Sequence, residues 1–268
     1  MSKLVNSIID KVNNTGLEQF DGLSPAQMKD LIDSKNHLFK FSLNPKNNLI
    51  DEIPLIQQIR FFLNQLNSEG GIKLTKTGNL PPVIVKELYS RRFLIDEAID
   101  NGITKLTKET DSDTITLPKY LCLFSSLIIK KNGYLRLTKK GKESQNSNEL
   151  FPLIYQTFSE KLNWSDFDGY TNKIIGQAMS KFSLYLLHKY GDEERNVNFY
   201  AERYFKAFPS IVTDVEPYTK NEHIYSLRTF ERFLKYFGFI KLKVLGIDGM
   251  LVRKSVTFDR FIEVKLKS

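Results

Sequence analysis

The sequence contains very little cysteine, histidine and tryptophan. Its 268 residues include one cysteine, three histidines and one tryptophan. A single cysteine excludes a disulfide bond within the chain and a zinc site built from several thiolates. Cys122 lies in an apolar stretch, which predicts an inert buried thiol. Because His37, His188 and His223 are scattered, without a second histidine or a carboxylate at ligand spacing, we expect neither a metal nor a cofactor.

Long apolar runs are also missing. The longest nearly apolar stretch covers residues 121–129, far short of the roughly 20 residues that span a bilayer. The first residues, beginning Met1-Ser2-Lys3-Leu4, lack the apolar core of a signal peptide. We therefore expect a cytoplasmic protein without a membrane partner.

The common catalytic motifs are absent as well. The sequence has no glycine-rich phosphate loop and no nucleophile elbow. Asp166 and Asp168 are spaced like a metal-binding pair, but no EF-hand spacing follows them. The sequence thus predicts a protein that is not an enzyme, and a metal-dependent hydrolase built on these two aspartates is the least favoured alternative.

The residues that are present indicate a folded, basic protein. Apolar residues make up 41% of the chain, with 20 phenylalanines and 12 tyrosines, which is typical of a globular protein. The 39 basic and 31 acidic residues give a net charge of +8. This balance favours polyanionic partners.

A short phrase occurs twice, as Gly71-Ile72-Lys73-Leu74-Thr75-Lys76-Thr77-Gly78 and as Gly133-Tyr134-Leu135-Arg136-Leu137-Thr138-Lys139-Lys140-Gly141. Each copy predicts the end of a β-strand followed by Leu-Thr-Lys-x-Gly. A short strand over 115–117, a helix over 119–127 and an Asn132-Gly133 hairpin turn are predicted before or within the second copy. A helix followed by a hairpin is typical of a winged-helix domain.

The C-terminal part repeats the order of helix, strand, turn and strand. A capping box from Thr219 to Glu222 predicts a helix that runs to Phe237, followed by strands on either side of a turn over 246–249. We therefore predict an α+β, mainly α fold with tandem winged-helix-like units whose wings are short β-hairpins. The polar stretch 142–149 predicts a boundary between an N-terminal lobe, residues 1–145, and a C-terminal lobe, residues 146–268.

The C-terminal helix and the hairpins supply the candidate nucleic-acid contacts. Helical spacing places Leu227, Phe230, Leu234 and Phe237 on one face, while Arg228, Arg232 and Lys235 form a separate basic stripe that could approach a DNA groove. Alternation predicts that Lys241 and Lys243 share a solvent face, whereas the adjacent Arg253 and Lys254 point to opposite faces unless the strand ends there. The predicted phosphate contacts are Lys241, Lys243, Arg253, Lys254, Lys130 and Lys131.

Three segments resemble a known family. The segments 22–28, 71–82 and 233–240, the second with the motif Gly-x-Lys-Leu-Thr-x-x-Gly-Asn-Leu-Pro, are similar to an uncharacterised family of bacterial proteins. Some members of that family carry an appended SEC-C zinc motif, whose cysteine cluster is missing here. The second and third hairpin units also resemble winged-helix domains, and this resemblance implies DNA binding.

Two functions follow as expectations. The first is a non-enzymatic protein that binds double-stranded DNA through the basic helix and the hairpin wings. The alternative is a scaffold for protein–protein interaction or homo-oligomerisation, with the aromatic helix over 199–208 as its interface, because aromatic residues are enriched in interface cores.

Overall fold

The computed structural model describes residues 2–33, 39–43, 49–212, 220–246 and 249–266, and within them the fold is α+β and mainly α. The α-helices are α1 (Ser2–Asn14), α2 (Pro25–Ile32), α3 (Pro54–Ser68), α4 (Pro82–Ser90), α5 (Glu97–Asp100), α6 (Asp113–Phe124), α7 (Lys139–Ser144), α8 (Leu150–Gln156), α9 (Ser180–Tyr190), α10 (Val197–Ala207), α11 (Asn221–Ser226) and α12 (Val256–Phe261). The π-helical segments Thr157–Lys161 and Leu227–Leu234 continue α8 and α11. The strands are β1 (Phe39–Leu43), β2 (Ile72–Lys73), β3 (Ile128–Lys131), β4 (Tyr134–Leu137), β5 (Arg195–Asn196), β6 (Ile240–Val244), β7 (Met250–Lys254) and β8 (Ile262–Leu266).

No helix among the described residues has the length and apolar character needed to cross a membrane. The predicted capping box at 219–222 begins at Thr219, which lies outside the described residues, although α11 does begin within that box at Asn221.

The chain folds into two compact units. Unit 1 comprises residues 1–44, 168–235 and 239–268, and unit 2 comprises residues 45–167 and 236–238. The expected lobe boundary between residues 145 and 146 falls inside unit 2. Unit 1 is therefore assembled from three separate stretches of chain, which a boundary drawn from local polarity does not anticipate.

In unit 2, the two copies of the repeated phrase lie side by side in one antiparallel sheet, which we call sheet B. Its strand order is β2-β4-β3. Ile72 lies opposite Leu135 and Lys73 lies opposite Tyr134, and the Leu74 amide donates to the Gly133 carbonyl over 2.8 Å. The first copy therefore contributes an edge strand to the sheet of the second copy and has no hairpin of its own.

Unit 1 contains a second sheet with the same order. In this sheet C the order is β5-β7-β6, so the first strand again pairs with the last one. The hairpin of β6 and β7 follows the helical stretch 221–236, as the sequence predicts. A further antiparallel pair in unit 1 joins β1 to β8.

The prediction for residues 115–127 is wrong in its boundaries. The expected strand over 115–117 is part of α6, which begins at Asp113 and contains Pro118. The Ser112 hydroxyl accepts a hydrogen bond from the Thr114 amide and caps this helix. The cap and the burial of Ile115 and Leu117 stabilise a helix across a proline that local propensity would place at a boundary.

The repeated Leu-Thr-Lys-x-Gly phrase has two different local roles. In the first copy, the Thr75 hydroxyl accepts from the Asn79 amide over 3.1 Å, and Gly78 has a positive φ of 82°. In the second copy, the Thr138 hydroxyl accepts from the Gly141 amide over 2.9 Å and caps α7. The sequence similarity therefore reflects two turns that both need a hydroxyl and a glycine.

We predict that Gly141→Ala destabilises unit 2. A Cβ atom at position 141 would overlap the Leu127 carbonyl oxygen and lie 3.0 Å from Leu137 Cδ2. Overpacking of this kind costs about 1–3 kcal/mol, so urea unfolding should show a lower free energy of unfolding. The control is Lys142→Ala, an exposed neighbour on α7, which should change stability by less than about 0.5 kcal/mol. Equal stability of the two variants would contradict the close approach at Gly141.

Candidate nucleic-acid interface

The arginines of the predicted basic stripe are not on the surface. The Arg228 side chain is fully buried, and that of Arg232 is 11% exposed. Arg228 Nε and Nη2 donate to the two carboxylate oxygens of Asp168 over 2.7 and 2.9 Å. Arg232 Nη1 donates to Asp168 Oδ2 over 3.1 Å. The expectation that Arg228 and Arg232 approach a DNA groove is therefore wrong, because both guanidinium groups bind an internal carboxylate.

The same network fixes the loop that precedes α9. Arg228 Nη1 donates to the carbonyl oxygens of Asn172 and Ile175 over 2.8 and 3.2 Å. The Asn172 side chain accepts from the amides of Ile174 and Ile175 and donates to the Ile211 carbonyl. Because buried polar groups must be hydrogen-bonded, Arg228 is a structural residue of unit 1.

The π-helical segment explains why the sequence pattern misplaced these residues. An α-helical period separates Arg228 and Arg232 from the apolar positions, but Leu227–Leu234 is a π-helix, in which hydrogen bonds run from residue i to residue i+5. The wider turn changes which positions share a face. Leu227 and Lys235 are consequently only half-buried while Arg228 is fully buried.

Asp168 is also unavailable as a metal ligand. Its carboxylate, 1% exposed, is the counter-ion of Arg228 and Arg232. Asp166 Oδ1 accepts from the side chain of Asn163 instead. Within the described ranges, no group of three histidine, cysteine, aspartate or glutamate residues could hold a metal ion.

The solvent face of sheet C carries three of the predicted cations. Lys241 lies directly opposite Arg253, and both side chains are exposed, as is Lys243 on the same face. Like charges directly opposite each other destabilise a sheet. The alternation of Lys241 and Lys243 that the sequence predicts is confirmed, and their face is a concentrated positive surface.

Lys254 lies on the opposite side of β7, as its adjacency to Arg253 predicts, but it is not available to phosphates. Its amine lies 3.1 Å from Asp192 and 3.0 Å from Asp259, and its side chain is 10% exposed. Burial lowers the pKa of Lys254, but the hydrogen bonds to Asp259 and Asp192 more than offset this effect and the pKa lies above its ordinary value. The expectation that Lys254 neutralises phosphate is therefore wrong, since its charge is already paired.

Sheet B carries a larger basic surface. Lys131 and Lys73 lie on either side of Tyr134 in one row across the three strands, and Arg136 shares their face. The Arg136 guanidinium carbon lies 5.1 Å from the centre of the Tyr134 ring. Lys130 lies at the hairpin tip with its Nζ beside Gly78, where an added Cβ would be 2.7 Å away. The predicted cations Lys130 and Lys131 are both exposed.

No acidic residue interrupts this surface in the sequence. The stretches 70–79 and 128–142 contain eight basic residues and no aspartate or glutamate. All eight are exposed: Lys73, Lys76, Lys130, Lys131, Arg136, Lys139, Lys140 and Lys142. Of this surface, the sequence pattern predicts Lys130 and Lys131 as contacts and misses Lys73, Lys76 and Tyr134. The repeated phrase was the available signal, because its first copy forms the edge strand β2 that pairs with the central strand β4 of its second copy.

The helix before this hairpin has little capacity to read bases. In α6, which lies wholly within the described residues, Tyr120 and Phe124 are the exposed side chains. Lys119 is buried and forms an ion pair with the buried Glu109. Cys122 is fully buried, and burial raises the pKa of its thiol, which agrees with the prediction of an inert residue.

We predict that breaking the Arg228–Asp168 pair destabilises unit 1 strongly. Arg228→Ala leaves the Asp168 carboxylate buried with less compensation, which typically costs about 3–5 kcal/mol. Chemical unfolding of Arg228→Ala, Asp168→Ala and the double variant should show that the double variant loses much less than the sum of the single losses. Lys206→Ala removes the exposed Lys206–Glu18 pair and should change stability little, because water screens such pairs. Additive losses at positions 168 and 228 would contradict the buried pair.

Comparisons of the chain with protein-family models, with curated proteins and with solved structures returned no match. The resemblance to a bacterial protein family accordingly stays a prediction.

Proposed function

We propose that this protein is a non-enzymatic nucleic-acid-binding protein that holds double-stranded DNA through the basic faces of sheets B and C. The observation that carries the proposal is the cluster of eight exposed cations on and beside sheet B, in two stretches of chain that contain no acidic residue. Lys139, on α7, lies 3.9 Å from Glu143. Closely spaced cations that outnumber their acidic neighbours attract a polyanion and gain affinity by releasing its counterions. Phosphate groups of a nucleic acid match this chemistry.

The order of elements supports winged-helix-like units. In unit 2 the order is α3, β2, α4, the one-turn α5, α6, β3 and β4, and in unit 1 it is α9, β5, α10, α11, β6 and β7. In both sheets the first strand pairs with the last. The hairpins β3–β4 and β6–β7 would be the wings, and both carry exposed cations on their solvent faces. Because fold alone does not give function, the proposal depends on these charges.

Charge repulsion in sheet C is a second, independent support. Lys241 and Arg253 lie directly opposite each other with both side chains exposed. This pairing opposes folding locally, and a bound phosphate would relieve it. We therefore include Lys241, Lys243 and Arg253 in the proposed DNA contacts, together with Lys130 and Lys131.

The expected binding is of low sequence selectivity. Phosphate contacts position a protein on DNA, whereas base contacts specify the sequence. Arg228 and Arg232 are sequestered by Asp168, and α6 exposes aromatic side chains instead of base-reading polar groups. Lys235 is half-buried, and it remains a proposed DNA contact on the helical stretch.

We predict salt-sensitive binding of mixed-sequence duplex DNA, measured by fluorescence anisotropy. If about six phosphates are neutralised, the slope of log K against log salt should be about −5. The triple variant Lys73→Ala/Lys131→Ala/Arg136→Ala should bind more weakly at every salt concentration, with a slope smaller by about 3.

The matched control is Lys86→Ala/Lys105→Ala/Lys161→Ala, which removes the same charge from exposed positions elsewhere in unit 2. It should retain nearly the wild-type slope. Equal losses in both triple variants would mean that net charge, and not sheet B, determines binding. No binding by the wild type at low salt would reject the proposed function.

Homo-oligomerisation is a second candidate, although its interface differs from the expected one. The aromatic helix α10 is unsuited to docking, because Tyr200 and Tyr204 are fully buried and pack with Phe230 and Tyr225. The exposed apolar stripe lies on α1 instead and consists of Leu4, Val5, Ile8, Ile9 and Val12. A 13-residue helix with this many exposed apolar groups is marginal in water without a partner. This favours pairing of α1 with α1 of a second copy.

We predict a weak dimer that depends on concentration. One helix pair is smaller than the standard interface of about 1,200 Å² or more, so light scattering after size exclusion should show a rising mass only at high protein concentration. Ile8→Asn/Val12→Asn should remain monomeric. Val83→Asn, an equally exposed apolar position on α4, is the control and should behave as the wild type does. A wild type that stays monomeric at all concentrations contradicts this candidate.

A further inference from the structure

We propose that sheet B binds an unpaired nucleotide, with the base stacked on Tyr134 and the flanking phosphates on the surrounding cations. This inference rests on the proposed nucleic-acid binding and specifies the form of ligand at that site. It concerns a single-stranded segment, which exposes both a base face and a phosphate backbone.

The position of Tyr134 carries the inference. It occupies the central strand β4, with Lys73 directly opposite on one neighbouring strand and Lys131 directly opposite on the other. Side chains directly opposite on adjacent strands share one face about 5 Å apart. The adjacent Leu135 points to the other face and is buried. Tyr134 therefore stands on the solvent side of the sheet, between two cations, and is not a core residue.

An exposed aromatic ring among cations favours an unpaired base over a duplex backbone as the ligand. Phosphates bind to cations alone, whereas an unpaired base can stack on an aromatic ring whatever its sequence. Arg136 lies over Tyr134 with its guanidinium carbon 5.1 Å from the ring centre, and its Nη1 is held by the Gly70 carbonyl over 3.1 Å. The tyrosine and the arginine thus form a fixed π-surface, and arginine adds cation–π attraction to a stacked base.

The first copy of the repeated phrase supplies groups for the neighbouring phosphate. The Leu74 amide is bonded to the Gly133 carbonyl, so the turn Thr75–Asn79 lies beside the hairpin tip. Lys130 extends to Gly78 in this turn, and Lys76 and Lys130 are both exposed. Lys130 pairs with Leu135 and therefore leaves the sheet on the face away from Tyr134. The hairpin tip and the neighbouring turn thus carry cations just beyond the Tyr134 face, where the phosphates of a strand that runs past the tip would meet them.

The test compares a fluorescein-labelled dT oligonucleotide of about 12 nucleotides with a duplex of equal length, using anisotropy at low salt. Tyr134→Ala should weaken dT binding about tenfold, the scale of one lost base–aromatic stack, and change duplex binding less than about twofold. Tyr134→Phe keeps the ring and should bind dT as the wild type does. Tyr120→Ala removes an exposed ring from α6 and is the control for loss of an aromatic elsewhere.

The outcomes separate this inference from the proposed function. If Tyr134→Ala binds dT as well as the wild type while Lys73→Ala/Lys131→Ala/Arg136→Ala binds both ligands weakly, base stacking is wrong and phosphate binding stands. An equal loss of dT and duplex binding in Tyr134→Ala also overturns the stacking. If wild type binds neither ligand, the proposed function itself fails. Thermal melting of each variant identifies any loss of binding that comes from unfolding. If Tyr134→Ala is unfolded, Tyr134→Leu replaces it as a bulkier variant without an aromatic ring.

Discussion

The buried ion pair between Arg228 and Asp168 is the constraint on which unit 1 depends. Two charges without solvent need nearly complete hydrogen bonding, because the cost of removing each from water is several kcal/mol. Here the carboxylate receives both arms of the guanidinium, and the remaining Nη1 binds the carbonyls of Asn172 and Ile175. The pair therefore joins the π-helical segment to a loop some sixty residues earlier in the chain.

This constraint decides which cations can meet a ligand. A basic stripe on a helix indicates a groove-facing surface only if the stripe faces water. In this protein Arg228 and Arg232 of the stripe are bound to the buried carboxylate of Asp168. Two sheets do carry positive charge on the surface, where strand pairing holds Lys241 against Arg253 and places Lys73 and Lys131 on either side of Tyr134. Strand register fixes these spacings more firmly than flexible helix-surface side chains would.

Local signals in the sequence predicted some of the local structure correctly, although the strand expected over 115–117 is helical. Ser24 and Gln27 form both hydrogen bonds of a capping box at the start of α2, and a serine followed three residues later by glutamine is a pattern that can be read from sequence. The Asn132-Gly133 turn joins β3 and β4, and both of its residues have positive φ. Such signals did not predict which residues distant in sequence form contacts. The residues around Arg228 in the sequence do not indicate that its partner is Asp168. Alternation along β7 does not indicate that Lys254 forms an ion pair with Asp192. Both contacts form only when distant stretches of the chain pack together.

The same distinction limits what a repeated phrase can reveal. Two similar strand ends can be read as two hairpins in tandem, but hydrogen-bonding groups at the edge of β4 are satisfied by any strand of matching register. β2 supplies that strand, so the repeat is a pairing of two strand ends within unit 2 and not a duplication of the whole hairpin. Bringing the two copies together also brings their cations together, because Lys73 of the first copy joins Lys131 and Arg136 on one face of sheet B. The basic surface is thus a product of topology, and its strength follows from the pairing that local sequence patterns did not predict.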